Sequence, residues 1–125
     1  MPNGQKTILL VEDDTMISSM YKTKFESAKF EVITADNGAD GLELAMSKKP
    51  DLILLDIIMP QLDGFAVLER LKMSAKTKSI PVFLLTNLGT EEDVKKGQEL
   101  GAKDYLVKAS LTPGEVLAKV KKEFK

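Results

Sequence analysis

The stretch "ILLVEDD", from Ile8 to Asp14, runs four apolar residues directly into three carboxylates. Like charges this close repel and raise one another's pKa, so Glu12, Asp13 and Asp14 must be compensated in some way. The three acids could be a helix cap, a solvated turn or half of a cation site. The rest of the chain has to decide among these alternatives.

Four further short apolar runs follow the first one. Most of the five are continuously apolar, which is typical of parallel strands covered on both faces. The runs are Thr7–Val11, Glu31–Ala35, Leu52–Leu55, Pro81–Leu85 and Tyr105–Val107. Helical patterns separate them, so that strand and helix alternate five times. With right-handed crossovers, this alternation predicts an α/β fold, an open and doubly wound parallel sheet with helices on both faces.

Four of the five helices show an apolar stripe. The stripes are Met16, Ile17, Met20, Tyr21, Phe25 and Ala28 in the first helix, Leu42, Ala45 and Met46 in the second, Phe65, Leu68 and Leu71 in the third, and Val116, Leu117, Val120 and Phe124 in the last. The last helix has a clear start, because Thr112 and Glu115 fit a capping box and Pro113 takes the first helical position.

The fourth helix, about Glu91–Leu100, has the weakest signal. It holds few apolar residues, and Gly97 costs roughly 1 kcal/mol relative to alanine in a helix interior. Thr90 is the expected cap at its start. We therefore expect this helix to be loosely held. The polar stretch Lys72–Ser79 is expected to be a surface loop.

Composition excludes several kinds of chemistry. The chain has 125 residues, a formal net charge of -1, and neither cysteine nor histidine. Disulfides, zinc–thiolate sites, serine–histidine triads and an internal phosphohistidine are thereby ruled out. The charge gives no case for nucleic-acid binding, no apolar run approaches a membrane span, and the N-terminus lacks an apolar signal core. We expect one cytoplasmic domain, with no membrane contact.

Polar side chains stand where the predicted strands end. Glu12 and Asp13 follow the first strand, Asp56 the third, Thr86 the fourth and Lys108 the fifth. In a doubly wound sheet, ligands bind outside the carboxyl ends of the strands. Carboxylates with a hydroxyl and an ammonium suit a hard cation such as Mg²⁺ together with phosphoryl oxygens.

The chain resembles the receiver domain of bacterial two-component response regulators, in particular chemotaxis receivers. Four motifs carry the resemblance in order: "LLVEDD", "DLILLDIIMPQLDGF", "PVFLLTN" and "GAKDYLVK". The resemblance covers essentially the whole chain, residues 1–125, as a single receiver domain without an output domain. It implies a flavodoxin-like (βα)5 sandwich with a five-stranded parallel sheet in the order 2-1-3-4-5.

The resemblance also implies a role for each residue at the strand ends. Asp56 matches the phosphoacceptor, which takes a phosphoryl group from a phosphohistidine on a histidine kinase or phosphotransfer protein. Glu12 and Asp13 match the acidic pair, with Asp13 binding Mg²⁺ directly and Glu12 through water. Asp56 and the main-chain carbonyl of Ile58 complete the expected metal ligands. Asp14 falls outside the pair, and it or Thr15 is expected to cap the first helix.

Three further residues match positions that act in the family, in phosphoryl transfer or in the switch that follows it. Thr86 and Lys108 match the hydroxyl and the cation that bind the phosphoryl group, and both are expected to act in phosphoryl transfer. Thr86 and Tyr105 match the pair that moves after phosphorylation. The expected output is a changed surface formed by the fourth helix, the fifth strand and the fifth helix, which controls the binding of a downstream partner.

The sequence departs from the family pattern after Lys108, where Ala109 replaces the usual proline. A cis peptide before a non-proline residue costs about 2.5–4 kcal/mol, so we expect a trans Lys108–Ala109 bond. In the family, the positions two residues after the phosphoacceptor aspartate and two after the threonine tune the rate of phosphate loss. In this chain they are Ile58 and Leu88. Both are apolar, which predicts slow self-dephosphorylation.

The expected function is thus a signalling switch that catalyses its own phosphorylation and dephosphorylation, and not a turnover enzyme. The resemblance allows a homodimer on phosphorylation, and the sequence identifies neither the kinase nor the downstream protein. The main alternative is a receiver-like scaffold that binds partners without phosphorylation. A Mg²⁺-dependent phosphohydrolase is disfavoured because no second acid stands two residues after Asp56. A flavin or dinucleotide carrier is disfavoured because no glycine-rich loop follows the first strand.

Overall fold

The computed structural model of the chain describes residues 5–60 and 62–124, so the extreme termini of the predicted domain lie outside the described residues. Its elements alternate strand and helix as predicted. The strands are β1 (Thr7–Val11), β2 (Glu31–Ala35), β3 (Leu52–Leu55), β4 (Val82–Thr86) and β5 (Asp104–Val107). The helices are α1 (Thr15–Ser27), α2 (Gly38–Lys48), α3 (Gly64–Met73), α4 (Glu91–Glu99) and α5 (Pro113–Glu123), with a 3-10 turn at Lys108–Ser110.

The five strands form one parallel sheet in the order β2-β1-β3-β4-β5, which confirms the predicted topology. Every residue of β3 and β4 is buried, as are the last four residues of β1. Strand β2 lies at an edge, and its exposed Glu31 and Thr34 break the apolar run. Continuous burial of the central strands explains why their sequences are apolar without alternation.

Two apolar clusters lie on opposite faces of the sheet. Helices α1 and α5 cover one face, and helices α2, α3 and α4 cover the other. Phe25 of α1 and Val120 of α5 belong to the first cluster, while Ala45 of α2 and Leu68 of α3 belong to the second. No helix among residues 5–60 and 62–124 is long and apolar enough to cross a bilayer.

The predicted helix caps are confirmed. Thr112 and Glu115 form a complete capping box at the start of α5, with Pro113 in the first turn. The side chain of Asp14 accepts from the backbone N–H groups of Met16 and Ile17, so Asp14 caps α1. Thr90 caps α4 through the N–H of Asp93. These contacts satisfy donors that would otherwise have no partner inside the helix.

Two local expectations differ from the structure. Met16 is 82% exposed and Met20 46% exposed, so the apolar stripe of α1 is buried only toward Tyr21 and Phe25. The stretch predicted as a surface loop begins inside α3, and beyond α3 it is largely exposed except at Thr77. Within it, the buried Thr77 donates its hydroxyl to the Leu71 carbonyl over 2.7 Å. Side chain-to-backbone bonds of this kind organise a connection that the polar sequence does not reveal.

Candidate functional site

The carboxyl ends of β1, β3, β4 and β5 bring the predicted residues to one edge of the sheet. Val11 pairs with Leu55, and the N–H of Asp56 donates to the Val11 carbonyl over 3.0 Å. This register places Asp56 beside Glu12, the first residue after β1. Thr86 is the last residue of β4, and Lys108 follows β5 directly.

Three carboxylates converge at this edge. One oxygen from each of Glu12, Asp13 and Asp56 lies within 4.8 Å of the others. Glu12 and Asp56 are buried, with 3% and 6% exposed, whereas Asp13 is exposed. A set of hard oxygen ligands on a partly open edge fits a divalent cation such as Mg²⁺, which usually keeps several waters.

Lys108 reaches between two of these acids. Its Nζ donates to Asp56 Oδ2 over 3.0 Å and also forms an ion pair with Glu12 Oε1. Burial by itself would lower the pKa of Lys108, but the bond to Glu12 and the charge of Asp56 outweigh it and raise the pKa. Burial raises the pKa of Glu12, and the bonds from Lys108 and from the N–H of Asp14 only partly offset it.

The backbone after β5 adjusts to the missing proline. Lys108 begins the 3-10 turn, and no cis peptide occurs among the described residues. The Lys108–Ala109 bond is therefore trans, which confirms the prediction. The ammonium still reaches Asp56, so the trans bond is compatible with the contact.

The three acids of the first motif separate into different environments. Glu12 turns inward, where its second oxygen accepts from the N–H of Asp14 over 3.1 Å. Asp13 points to the open side, and Asp14 caps α1. Of the alternatives for this motif, the helix cap therefore applies to Asp14, while Glu12 and Asp13 lie in the acidic cluster with Asp56.

The carboxylate of Asp56 is held from both sides. Oδ1 accepts from the N–H of Ile57 over 2.7 Å, and Oδ2 accepts from Lys108. Gly64 lies against the main chain here, since a Cβ at Gly64 would collide with the Asp56 carbonyl and lie 2.7 Å from Ile57 Cα. The sequence marked Gly64 only as part of a turn, and the close approach of two backbones is its structural reason.

Thr86 and Tyr105 both contact the main chain of Leu88, a residue for which the sequence predicted only a role in tuning phosphate loss. Thr86 is fully buried, and its hydroxyl accepts from the N–H of Leu88 over 3.3 Å. The Tyr105 hydroxyl donates to the carbonyl of the same residue over 2.5 Å. Leu88 thus connects the end of β4 to the ring on β5. Burial, with the carboxylates of Asp93 and Asp56, raises the pKa of Tyr105 to about 12.

Helix α4 packs on Tyr105 through a glycine. A Cβ at Gly97 would lie 2.7 Å from Leu84 Cδ1 and 3.1 Å from Tyr105 Cδ2. Gly97 is the buried residue of α4, so its absent side chain allows the helix to approach the sheet. The sequence predicts that Gly97 weakens the helix, because glycine has a low helix propensity. The close packing of α4 on Leu84 and Tyr105, which the sequence does not show, offsets this cost.

Ile58 lies beside the Asp56 carboxylate, two residues further along the chain. Its N–H lies 3.4 Å from Asp56 Oδ1, and its side chain is 57% exposed. The side chain therefore borders the open edge of the site. The predicted role of its carbonyl as a metal ligand stays a prediction.

Comparisons with known proteins find one family and its members. The family described as "Response regulator receiver domain" matches residues 8–121. The chain is 44% identical over 114 residues to the probable transcriptional regulatory protein SilR of Salmonella typhimurium, covering 91% of this chain and 49% of SilR. It is 41% identical over 114 residues to the DNA-binding dual master transcriptional regulator RpaA of Synechocystis, covering 91% of this chain and 47% of RpaA.

Solved structures extend the likeness to the whole fold. Chemotaxis protein CheY4 of Vibrio cholerae superimposes with a TM-score of 0.89 at 28% identity, covering 95% of this chain and 98% of that one. The receiver domain of Francisella response regulator 1452 gives a TM-score of 0.87 at 31% identity, covering 97% and 100%. The chain spans about half the length of the curated relatives it matches.

Proposed function

The chain belongs to the response regulator receiver domain family, and from this we propose that Asp56 is the phosphoacceptor of a two-component signalling switch. The donor would be a phosphohistidine on a histidine kinase or phosphotransfer protein. A receiver domain is a switch rather than a turnover enzyme. The observation that carries the proposal is the placement of Asp56, with one oxygen bonded to a main-chain N–H and the other to Lys108.

The transfer step needs little covalent work from the protein. A carboxylate oxygen of Asp56 forms a bond to phosphorus while the bond between phosphorus and the imidazole nitrogen breaks, and its electron pair stays on that nitrogen. Lys108 already contacts Asp56 Oδ2, so its ammonium is within reach of the negative charge that the phosphoryl group brings. Positioning and charge neutralisation account for most of the catalysis in such reactions.

The acidic cluster supports a Mg²⁺ site built from Asp13, Asp56, the carbonyl of Ile58 and, through water, Glu12. Bound Mg²⁺ would neutralise charge on the phosphoryl oxygens and on the acids around them. Both oxygens of Glu12 are engaged, by Lys108 and by the N–H of Asp14, and both oxygens of Asp56 are engaged, by Lys108 and by the N–H of Ile57. Asp13 is the exposed carboxylate of the three, and Glu12 is the most buried, which favours an indirect role for Glu12.

The contacts of Leu88 support a route from the site to the surface. Thr86 would exchange its bond from the Leu88 N–H for one to a phosphoryl oxygen. That exchange would act on the connection whose carbonyl accepts from Tyr105. Helix α4 rests on the same ring, so we expect the surface of α4, β5 and α5 to change and to control a downstream partner or a homodimer. The cytoplasm stays the predicted location.

One experiment tests the proposal against the scaffold alternative. The protein is incubated with phosphoramidate and Mg²⁺, and its intact mass is recorded. We expect the addition of one phosphoryl group to the wild type and to Asp36→Asn, a variant of an exposed carboxylate after β2. Asp56→Asn should add none, and a chelator should suppress labelling of the wild type. Labelling of Asp56→Asn would refute the assignment, and an unlabelled wild type would favour the scaffold.

A further inference from the structure

An apolar groove lies between α2 and α3, and its lining includes none of Glu12, Asp13, Asp56, Thr86 and Lys108. We call it the α2–α3 groove, lined by Ala39, Leu42, Met46, Leu62, Arg70 and Lys76, and it has a volume of about 510 Å³. The residues contributed by α2 recur with helical spacing and form one stripe along it. They cover about 12 Å of helix axis, a length that suits a short helical segment.

The packing of α2 buries only part of its apolar stripe. Gly38, the first residue of α2, touches the start of α3 so closely that a Cβ would lie 2.8 Å from Val67 Cγ2. Ala45, on the inner face, is fully buried. Leu42 and Met46, which the sequence placed in the same stripe as Ala45, are only half-buried. Their remaining apolar surface faces the groove.

Charge distinguishes the rim of the groove. Arg70 is the single arginine of the chain, and Lys76 stands near it in the lining. Both are exposed, and neither takes part in any ion pair found among residues 5–60 and 62–124. Glu43 is the acid on the α2 side. A guanidinium beside an apolar groove is well suited to a carboxylate, which it can bind through two parallel hydrogen bonds.

We propose that the α2–α3 groove docks an amphipathic helical segment of a partner protein, whose apolar residues fill the groove and whose carboxylates pair with Arg70 and Lys76. The anchors of such a segment would recur at positions i, i+4 and i+7. The groove lies on the sheet face opposite α1 and α5. It is also separate from the surface of α4, β5 and α5 proposed above, so this docking adds a second partner site.

The proposal is tested with two synthetic helical peptides of twelve residues. Both carry leucine at i, i+4 and i+7, and they differ only in flanking residues, which are glutamate in one and lysine in the other. Each is titrated into the ¹⁵N-labelled chain carrying Asp56→Asn, so that binding is read without phosphorylation. We expect amide shifts confined to the groove and a roughly fivefold tighter affinity for the glutamate peptide, the size expected for two exposed ion pairs.

Two variants and one control make the test specific. Arg70→Glu should reverse the preference between the peptides, and Met46→Gln should weaken both. Lys22→Glu, on the exposed surface of α1, should change neither. Urea unfolding of each variant distinguishes a loss of peptide binding from a loss of folded protein.

Several outcomes would overturn the proposal. Equal affinities of the two peptides would indicate an apolar site without charge recognition. Absence of groove shifts at millimolar peptide would exclude the docking mode. Groove shifts that depend on protein concentration alone would assign the groove to a second copy of the chain.

Discussion

Replacing Gly97 with alanine separates two physical effects that act in opposite directions. In an isolated helix, Gly→Ala in the interior stabilises by roughly 1 kcal/mol, because glycine loses more backbone entropy on folding. In the structure, the added Cβ would lie 2.7 Å from Leu84 Cδ1 and 3.1 Å from Tyr105 Cδ2. Leu84 is fully buried in β4, so it cannot move aside into solvent.

The contact with Leu84 should outweigh the helix propensity. Overpacking a well-packed core by a methyl group typically costs about 1–3 kcal/mol. Subtracting a propensity gain of about 0.5–1 kcal/mol leaves a net destabilisation of about 1 kcal/mol for Gly97→Ala. The added Cβ would also lie 3.1 Å from the Tyr105 ring, so the near-ultraviolet signal of that ring should change as well.

Gly114 provides the matched control, since it lies in the first turn of α5 and an added Cβ there would make only ordinary van der Waals contacts. A Cβ at Gly114 would meet nothing closer than Lys24 Cε at 3.8 Å. Gly114→Ala should therefore stabilise the protein by about 0.5 kcal/mol through the unfolded state. Urea unfolding measures both variants. Equal stabilisation of Gly97→Ala and Gly114→Ala would refute the packing argument.

Three further measurements check other parts of the structure. Asp14→Ala should lower the free energy of unfolding in urea by about 1 kcal/mol through loss of the α1 cap, whereas Asp13→Ala, which removes no cap, should not destabilise; an equal loss in both would contradict the separation of the acids. The pKa of Tyr105 is raised from 10.0 to about 12, so the stability that this residue contributes is present below pH 10 and is lost as pH rises toward 12. Burial raises the pKa of Tyr21 as well, so absorbance at 295 nm should show two late phenolates in the wild type, and Tyr105→Phe should remove the one near pH 12. An unchanged absorbance change near pH 12 in Tyr105→Phe would refute the assignment. Ile58→Asn should shorten the lifetime of the phosphorylated protein severalfold, because the side-chain amide of the new asparagine can hold an attacking water, while Ile58→Val should leave the lifetime unchanged. Intact-mass time courses measure both variants, and phosphate loss from Ile58→Asn that is unchanged or slower would count against the tuning role.

The sequence predicted the fold because its strongest signals are local or periodic. Continuous apolar runs identify strands buried on both faces, and the capping box of Thr112 and Glu115 fixes the start of α5. The site followed from one geometric rule, that carboxyl ends of parallel strands share an edge. The rule brought Glu12 and Asp56 together although 43 residues separate them in sequence.

What the sequence could not predict depends on how elements approach each other. The roles of Gly64 and Gly97 rest on backbone and ring contacts made across the fold. Leu88 contacts Thr86 and Tyr105 through its main-chain groups, which no side-chain pattern can reveal. Met16 has the spacing of a buried residue but faces outward, because the apolar stripe of α1 is wider than the face that α5 and the sheet can cover.

In the part of the chain that the structure describes, the single ammonium at the site, that of Lys108, does not balance the charge of the three carboxylates. Lys108 is shared by Glu12 and Asp56, and it leaves Asp13 on the open side without an ion-pair partner among the described residues. Three carboxylates against one ammonium leave two negative charges uncompensated, which is the charge that one divalent cation supplies. The phosphoryl group that we propose for Asp56 would add further negative charge and would compete with Glu12 for Lys108. Phosphorylation would therefore redistribute the contacts of Lys108, a change directly after β5 and three residues after Tyr105.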